Sequence, residues 1–255
     1  MRKIVAIANQ KGGVGKTTTC VNLAASLAST GQRLLLVDLD PQGNATMGSG
    51  VDKNHLNYSV LDVLTNPENI RQVIQSSTSA GYDLLPASVD LTAAEISLLD
   101  SRQKEARLRI AVKKVFQDYD FTLIDCPPSL NMLTVNALTC ADSVLIPMQC
   151  EYYALEGISA LLNTVKLIKQ RINPKLVIEG ILRTMYDPRS GLTNDVSRQL
   201  INHFGNLVYR TVIPRNIRLA EAPSHGLPVL LYDKHSRGSV AYLALASEFI
   251  RQQLG

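Results

Sequence analysis

Short apolar runs alternate with longer amphipathic ones along most of the chain. Lys3–Ala8, Arg33–Val37, Tyr82–Pro86, Phe121–Asp125, Ser143–Pro147, Leu176–Leu182 and Val208–Ile213 read as strands. Several are apolar without alternation, as strands covered on both faces are. Helical spacing predicts helices over Lys16–Ser29, Ser59–Leu64, Ala93–Leu99, Arg107–Gln117, Asn131–Thr139, Ala154–Arg171, Asn194–Phe204 and Ser239–Gln253. Strand and helix in alternation imply βαβ units. The expected fold class is therefore α/β: a doubly wound, mostly parallel sheet with helices on both faces. There is no internal repeat, low-complexity tract or long linker, so residues 1–255 are expected to form a single domain. Ligands of such sheets sit beyond the carboxyl ends of the strands.

The segment after the first strand fits that rule. It reads Asn9-Gln10-Lys11-Gly12-Gly13-Val14-Gly15-Lys16-Thr17-Thr18 and runs into an apolar helix. Glycines let backbone N–H groups converge on an anion, and the helix N-terminus adds its positive dipole. This is a phosphate-binding loop: Lys16 is expected to reach the β- and γ-phosphates and the Thr17 hydroxyl to hold Mg2+. The ordinary pattern wants glycine at position 10. Here Gln10 stands there, and a second lysine, Lys11, lies at the mouth of the loop. It is either a solvated surface lysine or one that reaches a nucleotide held by a facing subunit.

Acidic residues end two further strands. Asp38 and Asp40 lie two apart at the end of the second, within Val37-Asp-Leu-Asp-Pro-Gln-Gly-Asn44. They can sit near Mg2+ or a water, or serve as turn acids. Asp125 ends an apolar strand before Cys126-Pro127-Pro128, the form of a segment that holds Mg2+ through water.

Composition narrows the class. Hydrophobic residues make up 45% and charged residues 19%, which excludes a disordered, collagenous or coiled-coil chain. The longest apolar runs fall far short of the roughly 20 residues of a membrane span. Ile4–Ala8 is too short for a signal peptide, so a cytoplasmic protein is expected. Cys20, Cys126, Cys140 and Cys150 form no C-x-x-C pair, which predicts reduced, mostly buried thiols. The net charge of +4 is uneven: residues 1–150 carry 13 Lys and Arg against 14 Asp and Glu, and residues 151–255 carry 13 against 8. Arg183, Arg189, Arg198, Arg210, Arg215 and Arg218 fall in one window with only Asp187 and Asp195. Such a window marks an acidic partner, nucleic acid, or a solvated face.

The K-G-G-x-G-K-T-T loop resembles the deviant Walker A of the ParA/MinD family of ATPases. The block from Asp38 to Asn44 is similar to that family's switch I, and Ile124-Asp125-Cys126-Pro127-Pro128 to its switch II. Gln149–Gly157, Met185–Arg189 and Pro214–Gly226 extend the likeness almost end to end, toward chromosomal ParA proteins of the Soj type.

The resemblance implies an ATPase using ATP and Mg2+, slow without a partner. Lys11 would cross the interface of an ATP-sandwiched homodimer, and Lys16 would be the ordinary Walker lysine. With Asp40, which positions the attacking water, these are the expected catalytic residues. Lys11, Gly12, Gly13, Val14, Gly15, Lys16, Thr17 and Thr18 would bind the phosphates, with Pro214 and Asn216 against the adenine. Thr184 stands where relatives often carry an asparagine facing the base. Thr17 and, through water, Asp125 would hold the metal, with Asp38 assisting the metal shell or bracing the loop. Arg189 and Arg218 would bind double-stranded DNA without sequence preference, which suits a guanidinium on phosphate oxygens. A ParB-type centromere-binding protein is the implied trigger and the nucleoid the implied location. The phosphate loop begins by residue 11, so no N-terminal helix-turn-helix domain is expected. The alternative, a MinD-like membrane-associated division-site ATPase, would need a basic amphipathic C-terminal helix. The segment Leu243–Gly255 carries one cation, Arg251, so no membrane contact is expected. A metal-cluster carrier would need paired cysteines, and the contexts of Cys126 and Cys140 do not fit one.

Overall fold

The computed structural model describes residues 2–77, 80–93, 98, 101–152 and 154–254, the side chains of 77 and 154–156 excepted. Eight strands form one sheet: β1 (Lys3–Ile7), β2 (Leu34–Asp38), β3 (Gln75–Ser77), β4 (Tyr82–Leu85), β5 (Phe121–Asp125), β6 (Ser143–Gln149), β7 (Val177–Tyr186) and β8 (Val208–Pro214). Their order is β3-β4-β2-β5-β1-β6-β7-β8. Every pairing is parallel except β3 on β4. From β1 the chain crosses to β2, runs out to the β3 edge, returns through β4 to insert β5 between β2 and β1, and then passes to the other side as β6, β7 and β8, so β1 lies at the topological switch point.

The described helices of the first half are α1 (Lys16–Ala28), α2 (Asn44–Gly48), α3 (Val60–Thr65), α4 (Ile70–Val73), α5 (Arg107–Lys113) and α6 (Met132–Cys140). Those of the second half are α7 (Ala154–Arg171), α8 (Gly191–Phe204), α9 (Ile217–Glu221), α10 (Val229–Tyr232) and α11 (Arg237–Leu254). The expected helix Ala93–Leu99 falls mainly outside the described residues. The others agree with expectation to within a few residues, and the deviations have local causes. Helix α8 starts three residues early because the Ser190 hydroxyl accepts from the Thr193 N–H and caps it. Ser59 and Asp62 form a reciprocal capping box on α3.

Strand alternation divides the core in two. Val5, Ile7, Leu34, Leu36, Leu123 and Leu145 face α1 and α11. Ala6, Leu35, Val37, Ile124, Val144 and Ile146 face the opposite layer, with α3, α5, α6, α7 and α8. Both faces are covered, which explains the unbroken apolar runs. Leu36 is fully buried, and its truncation to alanine would cost about 2–5 kcal/mol. Phe121 meets Phe249 edge to face at 5.3 Å, and the Thr19 and Tyr242 hydroxyls join α1 to α11 at 3.1 Å. Among the described residues no helix is long and apolar enough to cross a membrane.

Strand β7 runs four residues past its expected end, with register shifts against β8. Tyr209 lies over Gly180, where an added Cβ would come within 2.5 Å of the ring. Glycine is required at that close approach, and the extension carries Thr184 and Met185 to the sheet's carboxyl rim.

Candidate functional site

The phosphate loop leaves the end of β1 and is shaped by its glycines. Gly13 and Gly15 take φ values of 73° and 84°, left-handed conformations that a side chain would strain, and Gly15 caps α1. Asn9 is buried; its amide donates to the Pro147 carbonyl at 2.8 Å and its Oδ1 accepts the Lys11 N–H at 3.0 Å. Lys16 turns inward, 7% exposed, and its ammonium donates to the Lys11 carbonyl at 3.1 Å. Burial lowers its pKa, while Asp125, Cys126 and Asp40 oppose the shift. Lys11 points outward, half-exposed, and its Nζ lies 2.5 Å from Glu151 Oε2.

Two of the three acids are neighbours in the sheet. Asp38 and Asp125 are register partners across β2 and β5, so their side chains share the face that α1 covers. Both are fully buried. Asp38 Oδ1 accepts the Asp40 N–H, and its Oδ2 accepts both the N–H and the hydroxyl of Thr46. Burial and the nearby Asp40 charge push Asp38 up to about 6, against the pull of these hydrogen bonds. Of the two roles open to Asp38, bracing the loop into α2 is the one its contacts display. Asp125 differs: both its carboxylate oxygens are buried and lack a hydrogen-bond partner. Burial first and the Asp38 charge second raise its pKa well above the usual range; the Thr17 hydroxyl is near enough to pull the other way but does not complete a hydrogen bond to it. Such a group is expensive to keep charged without a cation. Asp40 is 9% exposed, and its Oδ1 accepts the Gln42 N–H at 2.9 Å.

Beside the loop lies a cavity of about 270 Å³ lined by Thr18, Thr184, Pro214, Asn216, Leu219 and Tyr242 among others. Its place beyond β7 and β8 suits a flat heterocycle. Asn216 Oδ1 caps α9 by accepting the Arg218 N–H, so that oxygen is already engaged. The Thr184 hydroxyl donates to the Val14 carbonyl at 2.8 Å, tying the cavity wall to the phosphate loop. Larger cavities, of about 820 and 810 Å³, lie away from the loop, along β8 with the end of α11 and beside α5 with the end of α6. The orphaned polar atoms on their walls, on Arg183, Tyr209 and Thr139, are buried within the protein. Size therefore does not mark the chemistry here.

The arginine window is less uniform than its sequence suggests. Arg183 is 7% exposed and contributes little to the surface. Its guanidinium donates to the Ser197 hydroxyl and to the carbonyls of Tyr209 and Arg210, filling the irregular join between β7 and β8. Arg189, Arg198, Arg210, Arg215 and Arg218 are exposed, whereas Arg183 is a buried brace. Arg189 forms a two-pronged pair with Asp187, whose carboxyl it holds down to about 2. Arg218 lies 2.8 Å from Glu221 and 3.3 Å from Asp233, and Arg198 pairs with Asp195. Tyr186 and Pro214 are register partners, so the loop carrying Arg189 and the helix α9 carrying Arg218 follow the sheet at the same rim.

Glu151, Asn9 and Thr46 escaped the sequence reading. Asn9 adjoins the loop and Glu151 follows the carboxyl end of β6, so the rule that sites form beyond strand ends could have flagged both. The four cysteines are free and buried as expected. Burial raises the Cys126 thiol above its ordinary pKa, and no group of three or more His, Cys, Asp or Glu residues among those described is arranged for a metal ion.

A protein-family profile described as an AAA domain matches residues 2–178. The sporulation initiation inhibitor protein Soj of Bacillus subtilis is 54% identical over 97% of this chain and 98% of its own length. The chromosome partitioning protein ParA of Myxococcus xanthus is 48% identical over 98% of this chain and 88% of its own. A crystal structure of cobyrinic acid a,c-diamide synthase from Mycobacterium smegmatis with bound ATP analog and magnesium superposes with a TM-score of 0.88. It has 37% identity and covers 100% of this chain and 97% of that one.

Proposed function

The chain belongs to the ParA/MinD family of deviant Walker A ATPases, and on that premise we propose that it is an ATP-driven switch for partitioning DNA. ATP lies with its phosphates on Gly12–Thr18 and its adenine against Pro214 and Asn216. Lys16 neutralises phosphate charge. Thr17 and, through water, Asp125 would hold Mg2+, which when bound neutralises charge on the phosphate oxygens. The donor set fits that ion: a magnesium ion takes few protein ligands and keeps several waters, and Asp125 offers a buried carboxylate without a partner. Asp38 braces the loop beside it, and Asp40 orients the attacking water.

Two subunits close face to face, and Lys11 of each reaches the phosphates held by the other. The paired surfaces carrying Arg189 and Arg218 then bind duplex phosphates without sequence preference. Each subunit touches few phosphates, so binding depends on the two patches acting together. Hydrolysis, stimulated by a ParB-type partner, opens the dimer and releases DNA.

The observation that carries this reading is the juxtaposition of the inward-turned Lys16 with the orphaned Asp125 at the switch point of the sheet. The test is DNA co-sedimentation with ATP, with ADP and without nucleotide. Binding is expected with ATP alone and is lost in Lys16→Ala. Equal binding in all three conditions would overturn the switch.

A further inference from the structure

The segment that ends β6 clasps the phosphate loop at three points. Pro147 accepts from the Asn9 amide, Gln149 donates its amide to the Gly13 carbonyl at 3.5 Å, and Glu151 Oε2 lies 2.5 Å from Lys11 Nζ. The first two hold the loop as a whole. The third engages the lysine that its own nucleotide site leaves aside: Lys16 is buried and turned inward, whereas Lys11 is half-exposed and turned out.

We propose that Glu151 is the resting partner of Lys11, a positioning residue that keeps this lysine within its own subunit until closure exchanges the carboxylate for a phosphate of the facing subunit. The proposal rests on the reading above that Lys11 acts across the interface. Both side chains of the pair are about half exposed, at 50% and 49%. A pair so open to water shifts an equilibrium by only about 1.4- to 5-fold. That suits a partner that must let go. A buried pair would hold the lysine too firmly to release it, since removing one member of such a pair is strongly unfavourable. A polyphosphate offers several charge-assisted acceptors against one carboxylate, so the exchange runs toward the nucleotide.

Two measurements test this. In the nucleotide-free protein, competitive acylation of lysine amines read by mass spectrometry should label Lys11 about 1.4- to 5-fold faster in Glu151→Gln than in the parent. Glu151→Asp, which keeps the charge, should fall between them. In ATP, Glu151→Gln should reach half-dimerisation at a protein concentration about 2- to 30-fold lower, because two pairs no longer have to break. Unchanged Lys11 labelling with an unchanged Tm, or weaker dimerisation of Glu151→Gln, would overturn the assignment. Lys11→Ala separates the two readings. If that variant dimerises like the parent, the cross-interface role of Lys11 fails and this inference fails with it. If it does not dimerise while Glu151→Gln merely matches the parent, only the role of Glu151 is lost.

Discussion

Two parts of the sheet's carboxyl edge, a first rim over β1, β2 and β5 and a second over β7 and β8, treat charge in opposite ways. Beyond β1, β2 and β5, charged groups are buried and incompletely matched: Lys16 rests on a carbonyl, and Asp125 has no hydrogen-bond partner. Beyond β7 and β8, Arg189 and Arg218 are solvent-facing and already paired with Asp187, Glu221 and Asp233. A buried mismatch is held at a cost in stability and is relieved by a ligand of fitting charge. An exposed pair is worth little and exchanges readily for another anion. On the proposed function, the first rim suits one specific ligand, and the second suits any phosphate backbone that displaces its acids.

The sharpest way to break this contrast is at Asp40. Asp40→Ala should leave the phosphate cradle intact while kcat falls by about 10²- to 10⁴-fold. The variant should accumulate as an ATP-bound dimer with persistent DNA affinity, read by size exclusion and co-sedimentation. A variant that is monomeric in ATP would make Asp40 a structural residue.

Arg183 sharpens the second rim, because it shares a sequence window with Arg189 and Arg218 but not their surface. Arg183→Met would leave the carbonyls of Tyr209 and Arg210 without a donor. It should destabilise the fold by about 2–4 kcal/mol in denaturant unfolding. Under conditions where it remains folded, its DNA affinity and salt dependence should match the parent. Selective loss of DNA binding at unchanged stability would instead place Arg183 among the DNA-binding residues.

The first rim predicts an unusual pH dependence in the protein free of metal and nucleotide. Asp38 and Asp125 both titrate above the ordinary value of 3.8, Asp38 near 6. The folded state then keeps protons that the unfolded chain has released, so stability falls as pH rises from about 4 through the folded values. Melting in EDTA should give a higher Tm at pH 5 than at pH 7.5, by the equivalent of about 1–3 kcal/mol. Asp125→Asn should raise the Tm at pH 7.5 and flatten the profile, while Mg-ATP no longer stabilises it. A Tm that instead rises between pH 5 and 7.5 would mean that the acids are matched within the protein.

Arg189→Ala and Arg218→Ala should have the smallest effects. Each should weaken DNA binding several-fold on unrelated sequences while sparing ATP-dependent dimerisation. The log–log salt slope should become shallower by about 0.9 for each phosphate that is no longer neutralised. An unchanged slope in the double variant would remove this rim from DNA binding.

Much of the first rim was legible because its chemistry is local. Glycines at fixed spacing, a lysine and threonines opening a helix, and acids ending apolar strands each declare themselves within about ten residues. The alternation of strand and helix was likewise enough to place those segments at one end of a parallel sheet. The short α2, α4, α9 and α10 went unread because four or five residues barely complete one helical turn. The antiparallel β3 was missed because its three residues, Gln-Ser-Ser, carry no apolar signal.

The sequence by itself determined the α/β class, the phosphate loop and its acids, because backbone preference, glycine freedom and apolar period act between neighbours in the chain. Only the tertiary structure decided which charges meet. It set Asp38 beside Asp125 across two strands, buried Arg183 against β8, and brought Glu151 to Lys11 from 140 positions further along the chain. Burial and pairing depend on what packs against a side chain from elsewhere in the fold, and charge composition along a window does not contain that information.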